Sequence, residues 1–228
     1  MSIDYEVIVK GNNLALREGF LALANVTLVS TPDGPILFDV GHYCNRPALL
    51  NGLARRGVAP GALAAVFLSH LHFDHCNNID LFRNAKVFVS RREWDYARSP
   101  HAQDIFVPWL IHEQLQKHKV EFLDGETRLA AGVRCLPAPG HTPGSYALVL
   151  DTASKGRVVL AGDAIKYAKE TLTRCSDDCY DSPEASRASI ERLLALGDRI
   201  VPGHFPELIR RDGAFVWDDK VEFPILVR

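Results

Sequence analysis

The sequence predicts a mixed α/β domain, and its apolar runs and helical spacings are the observations that predict it. Short apolar runs that each stop at a polar residue are typical of buried strands. They cover residues 64–68, 133–137, 146–150, 158–162 and 200–201. Amphipathic spacing before a glycine predicts helices over residues 47–56 and 183–196. Because 228 residues can bury one sizeable core, we expect residues 1–228 to form a single domain.

The remaining elements follow from the same rules. Further strands are predicted over residues 5–9, 22–29, 86–90, 214–217 and 223–227, with a loop over 11–18. Short helices are predicted over residues 77–82 and 91–98. The helix that begins at Pro183 has Ser182 as its expected N-cap and Gly197 as its stop.

Residues 101–118 have an apolar composition and a helical spacing. Phe106 and Trp109 stand out in this segment, and core packing is favoured for them over a hydrophobic lid or a dimer surface. A homodimer through Trp109 remains open. His101, His112 and His118 are not expected to bind metal.

The segment His70-Leu71-His72-Phe73-Asp74-His75 is the most informative part of the chain. Neutral imidazole and carboxylate are ligands of borderline divalent metals, and a loop leaving a strand can direct alternating side chains to one point. The interruptions and the internal position exclude a purification tag. Four candidate ligands in six residues are too many for one closed structural zinc. The segment therefore predicts two adjacent ions, or one ion with an open position.

Three later segments each place a polar residue directly after a strand. His141 lies in the turn Pro139-Gly140-His141-Thr142-Pro143-Gly144-Ser145, Asp163 ends the run that begins at Val158, and His204 follows Pro202-Gly203. Loops at one end of a sheet gather functional side chains. Each segment alone is an ordinary turn, but their combination with the histidine-rich segment indicates one shared site.

At this point the chain resembles the metallo-β-lactamase-fold hydrolase superfamily, from Asp33 to His204. The resemblance implies a four-layer αββα sandwich with the metal site at the edge between the two sheets. It implies two groups of ligands and a bridging carboxylate: His70, His72 and His141 for metal 1, Asp74, His75 and His204 for metal 2, and Asp163 between them. Asp39 would hold a ligand histidine by its other ring nitrogen, or else simply end a strand.

The implied ligand set predicts hydrolysis. Two divalent ions roughly 3.5–4 Å apart can share a bridging water and lower its pKa, so that it becomes a hydroxide nucleophile. Zinc is the expected metal, with iron or manganese as alternatives. Asp74 would also accept a hydrogen bond from the hydroxide and deliver a proton to the leaving group.

The expected substrate is a small ester, lactone or thioester, as in lactonase-like and glyoxalase II-like members. Lys166 and Tyr167 follow Asp163 and are candidate hydrogen-bond donors to the substrate, as is Tyr43. Lactonase relatives carry a tyrosine three residues after the bridging aspartate, where this chain has Lys166.

Two other activities remain open. A phosphodiesterase or ribonuclease of the same fold would need basic residues beside the metals, and Lys166, Lys169 and Arg174 are the cluster suitably placed. A mononuclear-iron oxidoreductase similar to the persulfide dioxygenases would keep the same ligand motif. A binding module without chemistry is disfavoured, because open metal positions suit reacting groups.

Net charge and the N-terminal residues indicate which partners and which cellular compartment to expect. A net charge of −2 at pH 7 predicts no general affinity for nucleic acid or anionic membranes. Residues 1–10 have no apolar signal segment, so we expect a cytoplasmic protein with reduced thiols at its five cysteines. Cys76, beside His75, is expected to be a small buried residue rather than a contact of the metal site.

Overall fold

The computed structural model describes residues 2–220 of the chain. Its strands, in chain order, are β1 (Asp4–Val9), β2 (Ala15–Leu16), β3 (Gly19–Phe20), β4 (Val26–Ser30), β5 (Ile36–Phe38), β6 (Ala65–Phe67), β7 (Lys86–Ser90), β8 (Lys119–Leu123), β9 (Thr127–Ala130), β10 (Val133–Pro137), β11 (Tyr146–Thr152), β12 (Gly156–Gly162), β13 (Arg199–Pro202), β14 (Leu208–Arg211) and β15 (Ala214–Val216). The α-helices are α1 (Arg46–Arg55), α2 (Phe73–Cys76), α3 (Arg91–Tyr96), α4 (Ile111–Leu115), α5 (Glu170–Thr173) and α6 (Pro183–Leu196). Short 3₁₀ turns cover Tyr43–Asn45, Pro60–Ala62, Asn77–Leu81 and Asp163–Ile165.

The strands form two large sheets and one small hairpin. The first sheet has the order β1-β4-β5-β6-β7-β8, with β5 to β8 parallel. The second has the order β15-β14-β13-β12-β11-β10-β9, and within it β12 and β13 are parallel. β2 and β3 form the separate hairpin. Parallel neighbours end at the same edge of their sheet, and this places the segments that follow β5, β6, β12 and β13 close together.

The four-layer sandwich is confirmed by the alternation of side chains along the strands. In β6, Ala65 and Phe67 face the second sheet, whereas Val66 faces the helical layer. In β11, Leu148 joins the core between the sheets, whereas Val149 packs under α6. Each sheet is therefore apolar on both faces, with a helical layer outside it.

The two longer helices are where the sequence predicts them, α6 with the predicted bounds and α1 one residue earlier at each end. The Ser182 hydroxyl accepts a hydrogen bond from the Ala185 N–H, Pro183 occupies the first turn of α6, and Gly197 caps its end. Ile190, Leu193 and Leu194 form its buried face. The prediction for residues 47–56 is confirmed by α1, which buries Leu49 and Leu53. An apolar stripe accounts for both helices, and a side-chain cap adds to it in α6, whereas the Asn45 side chain makes no capping hydrogen bond to α1.

Residues 101–118 contradict the helix prediction. Only Ile111–Leu115 is α-helical, because Pro108 lacks a backbone donor and Asp104 turns inward from an irregular loop. Core packing of Trp109 is also wrong, since its side chain is 98% exposed. The homodimer through this region stays a prediction.

Other differences concern shorter segments. The strand predicted over 22–29 begins only at Val26, β2 lies within the predicted loop over 11–18, and β8 and β9 were not predicted. The strand predicted over 223–227 lies outside the described residues.

Among residues 2–220, no helix has the length and apolar character needed to cross a membrane. All five cysteines carry free thiols, and Cys76 is buried at the end of α2.

Candidate metal centre

Seven polar side chains from separate parts of the chain converge at the edge between the two sheets. The turn after β6 and helix α2 carry four of them, the β10–β11 loop carries one, and the ends of β12 and β13 carry one each. They are His70, His72, Asp74, His75, His141, Asp163 and His204. All are at most 6% exposed, although most are charged or strongly polar. Buried polar groups of this kind need partners, so the cluster is a functional candidate.

The ligand atoms fall into three groups, and within each group they lie within 4.8 Å of one another. The first group is His70, His72 and His141, and the second is Asp74, His75 and His204. The third group, His70, His75 and Asp163, connects the other two. Asp163 reaches both: its Oδ2 lies 3.5 Å from His141 Nε2, and its Oδ1 lies 3.3 Å from His75 Nε2. The structure thus brings together every residue that the sequence predicts for the two metals.

Each of the five imidazoles has one ring nitrogen tied to a partner outside the cluster. His75 Nδ1 lies 2.8 Å from Asp39 Oδ2, and His72 Nε2 lies 2.9 Å from Asp104 Oδ2. Three further hydrogen bonds join Ser69 Oγ to His70 Nδ1, the Asp178 carbonyl to His141 Nδ1, and the Asn12 carbonyl to His204 Nδ1. Such contacts fix the orientation of an imidazole and leave its other nitrogen free for a metal.

Within residues 2–220, several atoms that face the centre of the cluster make no hydrogen bond, although His75 Nε2 and Asp163 Oδ1 approach to 3.3 Å. They are His70 Nε2, His75 Nε2 and Asp163 Oδ1, and all three are buried. An unsatisfied buried polar atom costs free energy, and nitrogen and oxygen lone pairs directed at one point suit a cation. The residues therefore fit divalent metal ions.

The two groups of ligands differ in the pKa values of their histidines. Burial, together with the neighbouring imidazoles, lowers the pKa of His70 well below its usual value. Burial and the Lys166 charge likewise lower the pKa of His141. These rings are therefore neutral, which is the form that binds a metal.

The second group is strongly acidic. Burial opposes protonation of His75, but the carboxylates of Asp163, Asp74 and Asp39 outweigh it and raise the pKa of His75 well above its usual value. Burial also opposes ionisation of Asp163, yet the charges of His204, His75 and Lys166 hold its pKa well below the usual range. A divalent cation would supply the positive charge that a proton on His75 otherwise provides.

The backbone accommodates this cluster at two tight positions. Asp39 adopts a left-handed conformation with φ of 58°, which is costly for a residue with a Cβ. That conformation directs its carboxylate to His75 and to the Ser69 N–H, 2.7 Å away, so the predicted contact with a histidine is present. At Gly203, a Cβ would lie 1.9 Å from Asp163 Oδ1, which explains why glycine precedes His204.

A cavity of about 70 Å³ opens onto the cluster. Lys166 and Tyr167, both predicted from the sequence, line it, together with the aromatic side chains of Phe20, Phe73 and Phe106. Lys166 is buried, with its Nζ 2.7 Å from Asp178 Oδ2 and 3.4 Å from Asp163 Oδ2. Tyr43 does not line this cavity; it is about half exposed and its ring contacts Arg46.

Several residues of the site were not predicted. Asp104 lies in the segment that was expected to be helical, and Asn12 and Asp178 contribute backbone carbonyls, which no side-chain pattern reveals. Phe20 comes from the β2–β3 hairpin and packs edge-on against Phe106, with ring centroids 5.2 Å apart. A partner for each histidine could have been anticipated, but its identity depends on long-range folding.

Known proteins resemble this chain in sequence and structure. The N-acyl homoserine lactonase AiiA of Bacillus thuringiensis subsp. kurstaki is 30% identical over 191 residues, which cover 73% of each chain. Metallo-beta-lactamase domain-containing protein 1 of Homo sapiens is 32% identical over 189 residues, covering 80% of this chain and 62% of that protein. The crystal structure of a quorum-quenching N-acyl homoserine lactone lactonase superposes with a TM-score of 0.69 at 25% identity, covering 90% of this chain and 92% of that one.

A sequence model of the metallo-beta-lactamase superfamily matches residues 21–204, which contain the whole cluster. The αββα architecture and the converging histidines and aspartates agree with this match. The chain belongs to the metallo-β-lactamase superfamily.

Proposed function

We propose that this protein is a dinuclear metal-dependent hydrolase that cleaves a small ester, lactone or thioester. The observation that carries the proposal is the convergence of five imidazoles and two carboxylates, with unpaired atoms directed at a common centre. His70, His72 and His141 would hold one ion, Asp74, His75 and His204 the other, and Asp163 would contact both. Zinc is the preferred metal for such a nitrogen-rich set, with iron or manganese as alternatives.

When bound, two such ions supply an activated water at neutral pH and polarise the carbonyl that it attacks. The chain's own groups then move protons and orient the substrate. Asp74 is the candidate proton carrier, because its Oδ2 lies 3.3 Å from His204 Nε2 at the floor of the cavity. From there it can accept a proton from the attacking water and return it to the leaving oxygen or sulfur.

Lys166 is the candidate donor to the substrate. Burial opposes its charge, but Asp163 and Asp178 outweigh this and raise the pKa of Lys166, so the ammonium persists at neutral pH. Its Nζ in the cavity can donate a hydrogen bond to the oxygen on which negative charge develops. The Tyr167 ring, with its centroid 6.1 Å from that of His204, is the second candidate on the same wall.

The cavity favours an uncharged acyl substrate. Three phenylalanines contribute to its wall, and the relative AiiA is named a lactonase. The basic cluster that a phosphodiesterase would need is dispersed: Lys166 and Lys169 form ion pairs with aspartates, whereas Arg174 lines a different cavity. Hydrolysis of a carboxylic ester, lactone or thioester is therefore preferred to cleavage of a phosphodiester.

Metal analysis and a substrate panel test this proposal. Protein purified without added metal is expected to contain about two zinc ions per chain and to hydrolyse aliphatic lactones or thioesters. Bis-p-nitrophenyl phosphate should be a poor substrate. One iron per chain with no lactone or thioester hydrolysis would instead favour the oxidoreductase, and rapid phosphodiester cleavage would favour the nuclease.

A further inference from the structure

Glu93 is a buried acid that the proposed reaction does not use. Its side chain is fully buried, and within residues 2–220 no lysine or arginine forms a salt bridge with it. The segment Ser90-Arg91-Arg92-Glu93 has the pattern of a helix capping box, in which the glutamate would bond back to the N-cap backbone. Only half of that box forms: Ser90 Oγ accepts from the Glu93 N–H at 3.0 Å. The Glu93 carboxylate is directed elsewhere.

The carboxylate of Glu93 joins the two loops that carry the first group of imidazoles. Its Oε1 accepts a hydrogen bond from the Leu71 N–H at 2.9 Å, and Leu71 lies between His70 and His72. Its Oε2 accepts from Thr142 Oγ1 at 2.7 Å and from the Gly144 N–H at 3.2 Å. Thr142 directly follows His141. One side chain thus contacts the immediate neighbours of all three imidazoles.

These two loops come from different sheets. The first follows β6 and the second connects β10 to β11, so no ladder of either sheet runs between them. One backbone hydrogen bond joins their outer ends, from the Tyr146 N–H to the Ser69 carbonyl at 2.9 Å, and the Glu93 carboxylate joins them closer to the imidazoles. Across the gap, His72 Nδ1 and His141 Nε2 lie only 3.0 Å apart. The start of α3 fits closely against the second loop, because a Cβ at Gly144 would lie 2.1 Å from the Glu93 nitrogen.

The chemistry of the contact requires a carboxylate. Three donors, two N–H groups and one hydroxyl, converge on two oxygens that only accept. A glutamine of the same shape would direct its amide N–H₂ at one of these donors and leave a buried backbone N–H unpaired. An ionised acceptor also forms stronger hydrogen bonds than a neutral one.

We infer that Glu93 is a positioning residue, which sets the spacing of His70, His72 and His141 for one of the two metal ions. The inference rests on the proposed metal site, since it assigns Glu93 a role in holding that site together. Among the described residues, the hydrogen bonds of the Glu93 carboxylate reach only the two loops of the first group. Loss of Glu93 should therefore weaken the binding of one metal ion more than that of the other.

The test is zinc titration of the metal-free protein against a chromophoric chelator, comparing wild type with Glu93→Gln. Loss of a residue that orients metal ligands typically weakens metal affinity by about 10–100-fold. We expect a loss of this size for one of two zinc equivalents, with the other nearly unchanged. Leu53→Ala is the control, because it opens a cavity in the core beside α1 and lowers the melting temperature while leaving the hydrogen bonds of the Glu93 carboxylate in place.

A milder pair of variants keeps the test decisive if Glu93→Gln does not fold. Thr142→Val removes one donor from Glu93 and should weaken the same zinc equivalent by a smaller factor, whereas Thr142→Ser should restore it. Equal affinity in wild type, Glu93→Gln and Thr142→Val would overturn the inference. So would an equal loss at both equivalents, or the same loss in Leu53→Ala. Failure of the wild type to bind zinc, iron or manganese would instead refute the proposed function.

Discussion

The two halves of the metal centre use similar side chains in different electrostatic settings. The first half, His70, His72 and His141, presents only imidazoles, and burial keeps His70 and His141 neutral. The second half, Asp74, His75 and His204, shares the acidic environment that raises the pKa of His75. The first half would therefore bind an ion through accurately spaced neutral nitrogens, whereas the second would attract a cation by its charge. Substitutions that affect one half, both halves or neither should show how much ligand spacing and charge each contribute to metal binding.

The largest effect is expected at Asp163, whose carboxylate lies between the two halves, 3.5 Å from His141 Nε2 and 3.3 Å from His75 Nε2. Asp163→Ala should remove metal from the site and reduce kcat/KM by more than the ~10–100-fold that losing an outer partner costs. The fold should survive, since the variant deletes a charge from a metal-binding cluster rather than apolar core. Metal content, kcat/KM and a thermal melt measure this, and wild-type metal content with wild-type rate would exclude Asp163 as the shared ligand.

The next largest effect is expected at Lys166, which lines the cavity beside both halves. Lys166→Met should lower kcat by about 100-fold, the typical loss for one donor to developing negative charge, with metal content unchanged. Tyr167→Phe is the matched variant on the same wall and should change kcat less. The reverse order of effects would assign the donor role to Tyr167.

A smaller effect is expected at Asp39, which contacts His75 of the second half directly and His70 of the first half only through the Ser69 hydroxyl. Asp39→Asn keeps the size of the side chain but cannot accept from His75 Nδ1, the Ser69 N–H and the Ser69 hydroxyl together. Zinc affinity should fall by about tenfold or more at one equivalent. Isothermal titration with zinc measures this loss, and an unchanged isotherm would show that His75 does not depend on Asp39.

The smallest effect is expected far from both halves, at the start of α6. Ser182→Ala removes the hydroxyl that accepts from the Ala185 N–H and should cost about 1 kcal/mol of unfolding free energy. Metal content and kcat/KM should stay at wild-type values. Urea unfolding followed by circular dichroism gives the stability, and a parallel loss of metal would indicate that α6 supports the centre directly.

The sequence predicts the parts of this site that local chemistry determines. The segment from His70 to His75 and the turn residues at His141 and His204 are recognisable because ligands follow apolar strands at short spacing. The layer order came from the family resemblance, since strand alternation alone does not determine which sheets pack together.

Other parts of the site depend on contacts between distant residues. Asp104 bonds to His72 from an irregular loop, and the helical spacing around it gave the wrong prediction. The Asn12 and Asp178 carbonyls belong to the backbone, so no side-chain pattern marks them. β8 was missed although Lys119-Val120-Glu121-Phe122 alternates polar and apolar residues, and only Leu123 of this strand is fully buried.

The seven side chains should hold two metal ions when zinc is supplied. An anomalous difference map at the zinc absorption edge, from crystals grown with zinc, would show how many ions bind and where. We predict two peaks roughly 3.5–4 Å apart, one among His70, His72 and His141 and one among Asp74, His75 and His204, with Asp163 between them. No peak, or a single peak with the second group turned away from it, would contradict the account.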